Sequence, residues 1–76
     1  MKSVNVSLDS IDKIRSFVSI ITMFDGEYDL VSNRYVVDAK SIMGIFSLDL
    51  AQPLRLDIHD AAQYDNVVEK LGEFIV

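Results

Sequence analysis

The 76-residue sequence predicts one α+β domain, a mainly antiparallel sheet with helices on one face. Three observations predict it. Apolar residues alternate with polar ones in Val4, Val6 and Leu8 and again in Leu54, Leu56 and Ile58, the period of half-buried strands. Ile11, Ile14, Val18 and Ile21 recur at helical spacing, with Phe17 widening the stripe. Between these regions, Tyr28–Ser32 and Tyr35–Asp38 are strand-like runs separated only by Asn33-Arg34, and Asn tolerates the positive φ of a tight hairpin.

The elements follow in order. Residues 2–8 form the first strand, and Asp9-Ser10 then offers capping oxygens to the first helix. Asp12 stands in its first turn, where a negative charge suits the helix dipole. Asp25-Gly26 is expected to end that helix after Phe24, because glycine readily adopts the left-handed C-cap conformation. After the hairpin, Ser41 precedes the apolar segment Ile42-Met43-Gly44-Ile45-Phe46-Ser47-Leu48, which reads as a two-turn helix. Pro53 marks entry to the last strand, where its missing N–H costs least. Asp60 and Gln63 fit a capping box, and Tyr64, Val67, Val68, Leu71, Phe74 and Ile75 line the face of a final helix. Ser3, Asn5, Ser7, Arg55 and Asp57 are expected on a wetted outer sheet face.

Composition limits the functions this domain can have. A chain of this length holds one core, so residues 1–76 form a single domain. No cysteine is present, which removes disulfides and thiolate metal sites and fits a reducing cytoplasm. A lone histidine, His59, cannot close a metal site, and no cofactor motif occurs. Alternation in Met1–Leu8 lacks the continuous apolar run of a signal peptide, and no segment is long enough to insert in a membrane. The net charge of −5 argues against nucleic acid and favours a neutral or basic protein partner. Asp57, Asp60, Asp65, Glu69 and Glu73 read as a solvated face, with no pair acting as general acid and base.

The segment Lys40-Ser41-Ile42-Met43-Gly44-Ile45-Phe46-Ser47-Leu48 resembles Lys-Ser-Ile-Met-Gly-Val-Met-Ser-Leu of the HPr family from Gram-positive bacteria. HPr proteins are the phosphocarriers of the phosphoenolpyruvate-dependent sugar phosphotransferase system. The resemblance runs over essentially the whole chain, with a small deletion near residues 60–63. It implies an HPr-like open-faced β-sandwich, βαββαβα, with a four-stranded antiparallel sheet and three helices on one face.

In that family a Gly-(Ile/Leu)-His-(Ala/Thr)-Arg-Pro motif opens the first helix, and its histidine accepts a phosphoryl group from enzyme I. The matching stretch here is Leu8-Asp9-Ser10-Ile11-Asp12-Lys13-Ile14-Arg15, without histidine or proline. The ungapped register sets Ser10 at the histidine position and Asp12 at the arginine position. A shifted register sets Lys13 and Arg15 there instead, but needs a gap inside the helix. An imidazole makes an activated phosphoramidate, whereas a serine ester is far less activated. The resemblance thus implies a non-enzymatic binding or regulatory module that no longer carries phosphate. Two alternatives remain: a carrier using His59 or Ser10, or an interaction domain unrelated to sugar transport.

The resemblance also aligns Ser41 with the serine that a regulatory kinase modifies in the family. A helix N-cap is the simpler role for the same hydroxyl, and one residue can serve both. Lys40, Ile42, Met43 and Phe46 match the family's partner-docking surface. The partners implied are phosphotransferase-system components, a regulatory kinase or a transcription regulator. Ile45, Leu48 and Leu50 are expected in the core.

Overall fold

In the computed structural model, which describes residues 1–76, the apolar alternation becomes four strands and the helical stripes become three helices. These are β1 (Lys2–Val6), α1 (Ile11–Ile21), β2 (Tyr28–Ser32), β3 (Tyr35–Asp38), α2 (Ile42–Phe46), β4 (Leu54–Ile58) and α3 (Tyr64–Lys70). The sheet is antiparallel throughout, in the order β1-β4-β2-β3. Its register aligns Val4, Leu56, Leu30 and Val37 across the four strands, and this row faces the helices. Ile14, Phe17, Val18 and Ile21 of α1 and Val67 of α3 close over it. Phe17 and Phe74 meet edge to face, with ring centroids 6.0 Å apart.

Local signals explain most boundaries. Ser10 caps α1 by accepting from the Lys13 N–H at 3.2 Å, in extended backbone geometry. Asn33 takes φ 56° in the two-residue turn that pairs Ser32 with Tyr35. Ala39 donates to the Tyr28 carbonyl at 2.8 Å and extends the hairpin by one bonded pair.

Two helix ends differ from expectation. The α-helical run of α1 stops at Ile21, not Phe24. The Thr22 hydroxyl turns back onto the Val18 carbonyl at 2.8 Å, while Met23 and Phe24 donate to Ile20 and Ile21 in tighter turns. Gly26, with φ 100°, instead serves the turn into β2. The final helix stops at Lys70, because Leu71 leaves helical geometry and Gly72 opens a single 3-10 turn. Competition from the sheet is the second reason. Ser7 donates to the Phe74 carbonyl at 2.8 Å and Val76 to the Asn5 carbonyl at 3.1 Å, so the chain end pairs along the outer edge of β1. Phe74 and Ile75 still reach the core, but from beyond the helix. The capping box is half made: Asp60 accepts from the Ala62 N–H, while Gln63 makes no side-chain cap bond.

Asp57 departs from its expected solvated position. It lies on the outer sheet face, as its parity requires, yet only 6% of it is exposed. Arg55 donates to it from Nε at 2.8 Å and from Nη2 at 3.2 Å, and the Ser3 hydroxyl from β1 at 2.7 Å. The long Arg55 side chain therefore folds over it along its own strand, while Ser3 closes the β1 side.

Candidate functional site

The candidate site residues fall in three separate places. The first is the N-terminus of α1. Ser10, Ile11, Asp12 and Lys13 are all exposed there, and Ile11 is 55% exposed despite its place in the apolar stripe. Lys13 pairs with Asp9 at 2.9 Å. Its hydrogen bond and positive charge hold the Asp9 carboxyl below the usual range. A shallow depression of about 200 Å³ lies beside this turn, lined by Asp12, Lys13, Ser16, Glu73 and Phe74. An anion arriving there meets helix N–H groups and Lys13, but also the carboxylates of Asp12 and Glu73.

The second place is α2. Ser41 is its N-cap, with Oγ accepting from the Gly44 N–H at 3.1 Å, a contact worth about 1 kcal/mol in such caps. Gly44 permits close packing here. A Cβ at this residue would stand 3.2 Å from the Val37 Cβ and 3.3 Å from the Ser41 Oγ, so glycine lets α2 lie down on β3. Only Ile45 of this helix is buried. With five residues and one inward position, the helix must present the rest outward: Ile42 is 38% exposed, Met43 81% and Phe46 44%. Three large apolar side chains of this short helix are therefore left facing solvent. Leu48 is buried and Leu50 is half-buried against the core.

Lys40 precedes Ser41 in sequence, but its ammonium is engaged elsewhere. It donates to the Phe24 carbonyl at 2.7 Å and stands 5.4 Å from the centre of the Tyr28 ring. That pair of contacts ties the α2 approach to the end of α1.

The third place is the open sheet face. His59 follows inward-facing Ile58, so it points away from the helices, and its Nε2 is 2.7 Å from Asp29 Oδ2. Its backbone N–H donates to the Glu27 carbonyl. The structure therefore does not bring His59 together with Ser10 or Ser41, which belong to the helical layer. No group of three His, Asp or Glu side chains is placed to hold a metal ion, and no helix is long and apolar enough to cross a membrane.

Sequence reasoning missed the Ser3–Asp57–Arg55 cluster. Its signal was present, since residues 55 and 57 share one strand face by spacing alone. The position of Ser3 opposite Asp57 depends on sheet register, which no local pattern states.

Comparison of the whole chain with known proteins decides the kind of fold. The crystal structure of HPr-C-His from Thermoanaerobacter tengcongensis matches with a TM-score of 0.78 at 24% identity, covering 96% of this chain and 89% of that one. The phosphocarrier protein HPr from Bacillus anthracis str. Ames matches with a TM-score of 0.64 at 27% identity, covering 99% of this chain and 94% of that one. The fold is HPr-like. No family model and no curated protein sequence matches the chain. The likeness is therefore carried by the arrangement of elements, which the HPr-like chain keeps nearly end to end.

Proposed function

We propose that this HPr-like protein is a cytoplasmic, non-enzymatic binding or regulatory module linked to the sugar phosphotransferase system, docking protein partners through α2. The exposure of Met43 and Phe46 beside the capping serine carries this reading. Methionine and phenylalanine make an adaptable apolar surface, and partners without strong negative charge suit a chain of net charge −5. Ile42 belongs to the same surface. Lys40 contributes by positioning the approach to α2 rather than by touching the partner, since its ammonium is already bound.

The loss of carrying follows from chemistry. In the ungapped register Ser10 replaces the acceptor histidine and Asp12 the neighbouring arginine, so the acceptor is weakly activated and a carboxylate repels the incoming phosphate. His59 is a poor substitute. It lies on the open sheet face, away from the α1 N-terminus and α2, and the carboxylates of Asp29 and Asp57 beside it repel an incoming phosphate. Incubation with enzyme I and labelled phosphoenolpyruvate is expected to leave the protein unlabelled. Acid-labile phosphate on any residue overturns the non-carrier reading, and its disappearance in His59→Asn would locate the acceptor.

Ser41 is proposed as the switch on the docking surface. A phosphate there gains from the N–H groups of α2 and sets negative charge beside Met43 and Phe46. It is expected to change partner affinity without unfolding the domain. Phe46→Asp should weaken capture of phosphotransferase-system proteins by at least about tenfold, because it sets a charge in the centre of the apolar surface. Calorimetric titration of a captured partner with parent, Phe46→Asp and Ser41-phosphorylated protein checks both points. Equal affinities across the three would remove α2 as the docking face.

A further inference from the structure

The two edges of the sheet are not equivalent. On β1, alternate residues direct their backbone groups outward, and the Asn5 carbonyl and Ser7 N–H of that set are taken by Val76 and Phe74. The chain end thus covers much of one edge. No element of the chain pairs along the outside of β3.

Register shows what β3 presents there. Ala39 and Tyr28 form a bonded pair, so alternation makes Val37–Leu30 and Tyr35–Ser32 the other bonded pairs of the hairpin. Val36 and Asp38 consequently turn their backbone groups outward. Val36 is 61% exposed and Tyr35 67% exposed, which leaves apolar side chains along an unpaired edge.

We propose that this edge pairs antiparallel with the same edge of a second copy, about a two-fold axis at Val36, so that the two four-stranded sheets become one continuous sheet. The strand is self-complementary in this register and loses that property when shifted. Val36 meets Val36 of the second copy and exchanges both backbone hydrogen bonds with it. Tyr35 then opposes Val37, covering exposed ring surface with a side chain already half-buried on the helix side. Arg34 opposes Asp38, twice by symmetry. Neither side chain has an ionic partner within the chain, and Asp38 is otherwise engaged only by the Lys40 N–H at 2.8 Å. Sliding the pairing by two residues sets Arg34 opposite Lys40 in one direction and opposite Val36 in the other, so it loses its carboxylate either way. The complementarity selects a second copy over a foreign strand.

The short edge and the net charge of −5 on each copy make the association weak and concentration-dependent. Sedimentation equilibrium on the full chain, up to about 1 mM, tests it. The parent is expected to show a reversible monomer–dimer equilibrium. Arg34→Glu and Asp38→Lys should each raise the dissociation constant by about tenfold or more, because each turns both ion pairs into like-charge contacts. In an equimolar mixture of the two variants, a heterodimer sets the carboxylate introduced by Arg34→Glu against the ammonium introduced by Asp38→Lys. Its other ion pair is the original one, Arg34 with Asp38, so the mixture should recover the parent's affinity. Val36→Pro, which removes the outward N–H but no hairpin bond, should abolish the dimer; circular dichroism confirms that each variant is folded. A parent that stays monomeric overturns the proposal and leaves β3 to a strand from another protein. A dimer that persists unchanged in both charge variants, through α2 or any other face, also overturns it.

Discussion

Phe17→Ala is expected to bring the domain close to unfolding at room temperature. Phe17 is fully buried between α1 and the sheet, and its ring edge meets Phe74 at a centroid distance of 6.0 Å. Removing it deletes a large apolar surface and leaves a cavity, at a cost of about 3–5 kcal/mol. A domain of 76 residues has a total stability of roughly 4–11 kcal/mol, so the loss is a large share of the whole. Thermal unfolding followed by circular dichroism should show a midpoint lowered by more than about 15 °C. The position makes relaxation difficult. Phe74 sits on the chain end that pairs with β1, where the Ser7–Phe74 hydrogen bond holds its backbone against shifting into the gap. Phe46→Ala is the control, because a 44% exposed ring removed from α2 should cost less than about 1 kcal/mol. A fall of only a few degrees for Phe17→Ala would mean the helix and sheet close over the gap without difficulty.

The contrast between those two phenylalanines also explains what was legible in the sequence. Phe17 belongs to a long stripe of helical period, and eleven residues of α1 average out local ambiguity. Strand alternation in Leu54–Ile58 and the turn at Asn33 were legible for the same reason: each is a local pattern with one physical solution. Phe46 lies in a five-residue helix, where period alone cannot say which apolar side chains face inward. Its exposure became an expectation only through the resemblance of Lys40–Leu48 to HPr proteins, and the surface at Ile42, Met43 and Phe46 agrees with it.

What stayed hidden depends on contacts distant in sequence. Lys40 reads as a charge beside Ser41, but Phe24, sixteen residues earlier, supplies the carbonyl that holds it. The end of the last helix was misplaced because Phe74 and Ile75 keep the helical spacing while the outer groups of β1 draw them into extended pairing. Asp57 was misplaced for a related reason. Outward parity predicts solvent only when neighbouring side chains are short, and Arg55 is long enough to fold over it.

That buried carboxylate gives the second large effect, and its pH dependence has a definite sign. Burial alone would raise the pKa of Asp57, but the hydrogen bonds from Arg55 and Ser3, together with the Arg55 charge, outweigh it and hold the group below its ordinary value. A carboxyl that is more acidic in the folded state stabilises the fold fully above its unfolded pKa of about 3.9. The contribution disappears as pH falls through the lower folded value. Asp57→Asn keeps the shape and an acceptor for Ser3 but loses the charge that Arg55 grips from two nitrogens. The cost at pH 7 is about 1–2 kcal/mol, at the low end for bonds to a charged group because the Arg55 side chain is 53% exposed. Urea unfolding of parent and variant at pH 7, 5, 4 and 3 should show that difference intact at the upper two values and shrinking through the lower two. Asp9, which is also held in its charged form by Lys13, remains in both proteins and cancels from the comparison. A difference that stays constant down to pH 3 would mean that shape, and not charge, accounts for the contribution of Asp57. If the difference shrinks as expected, Ser3→Ala should then reproduce a smaller part of it, since Arg55 continues to hold the carboxylate from its own strand.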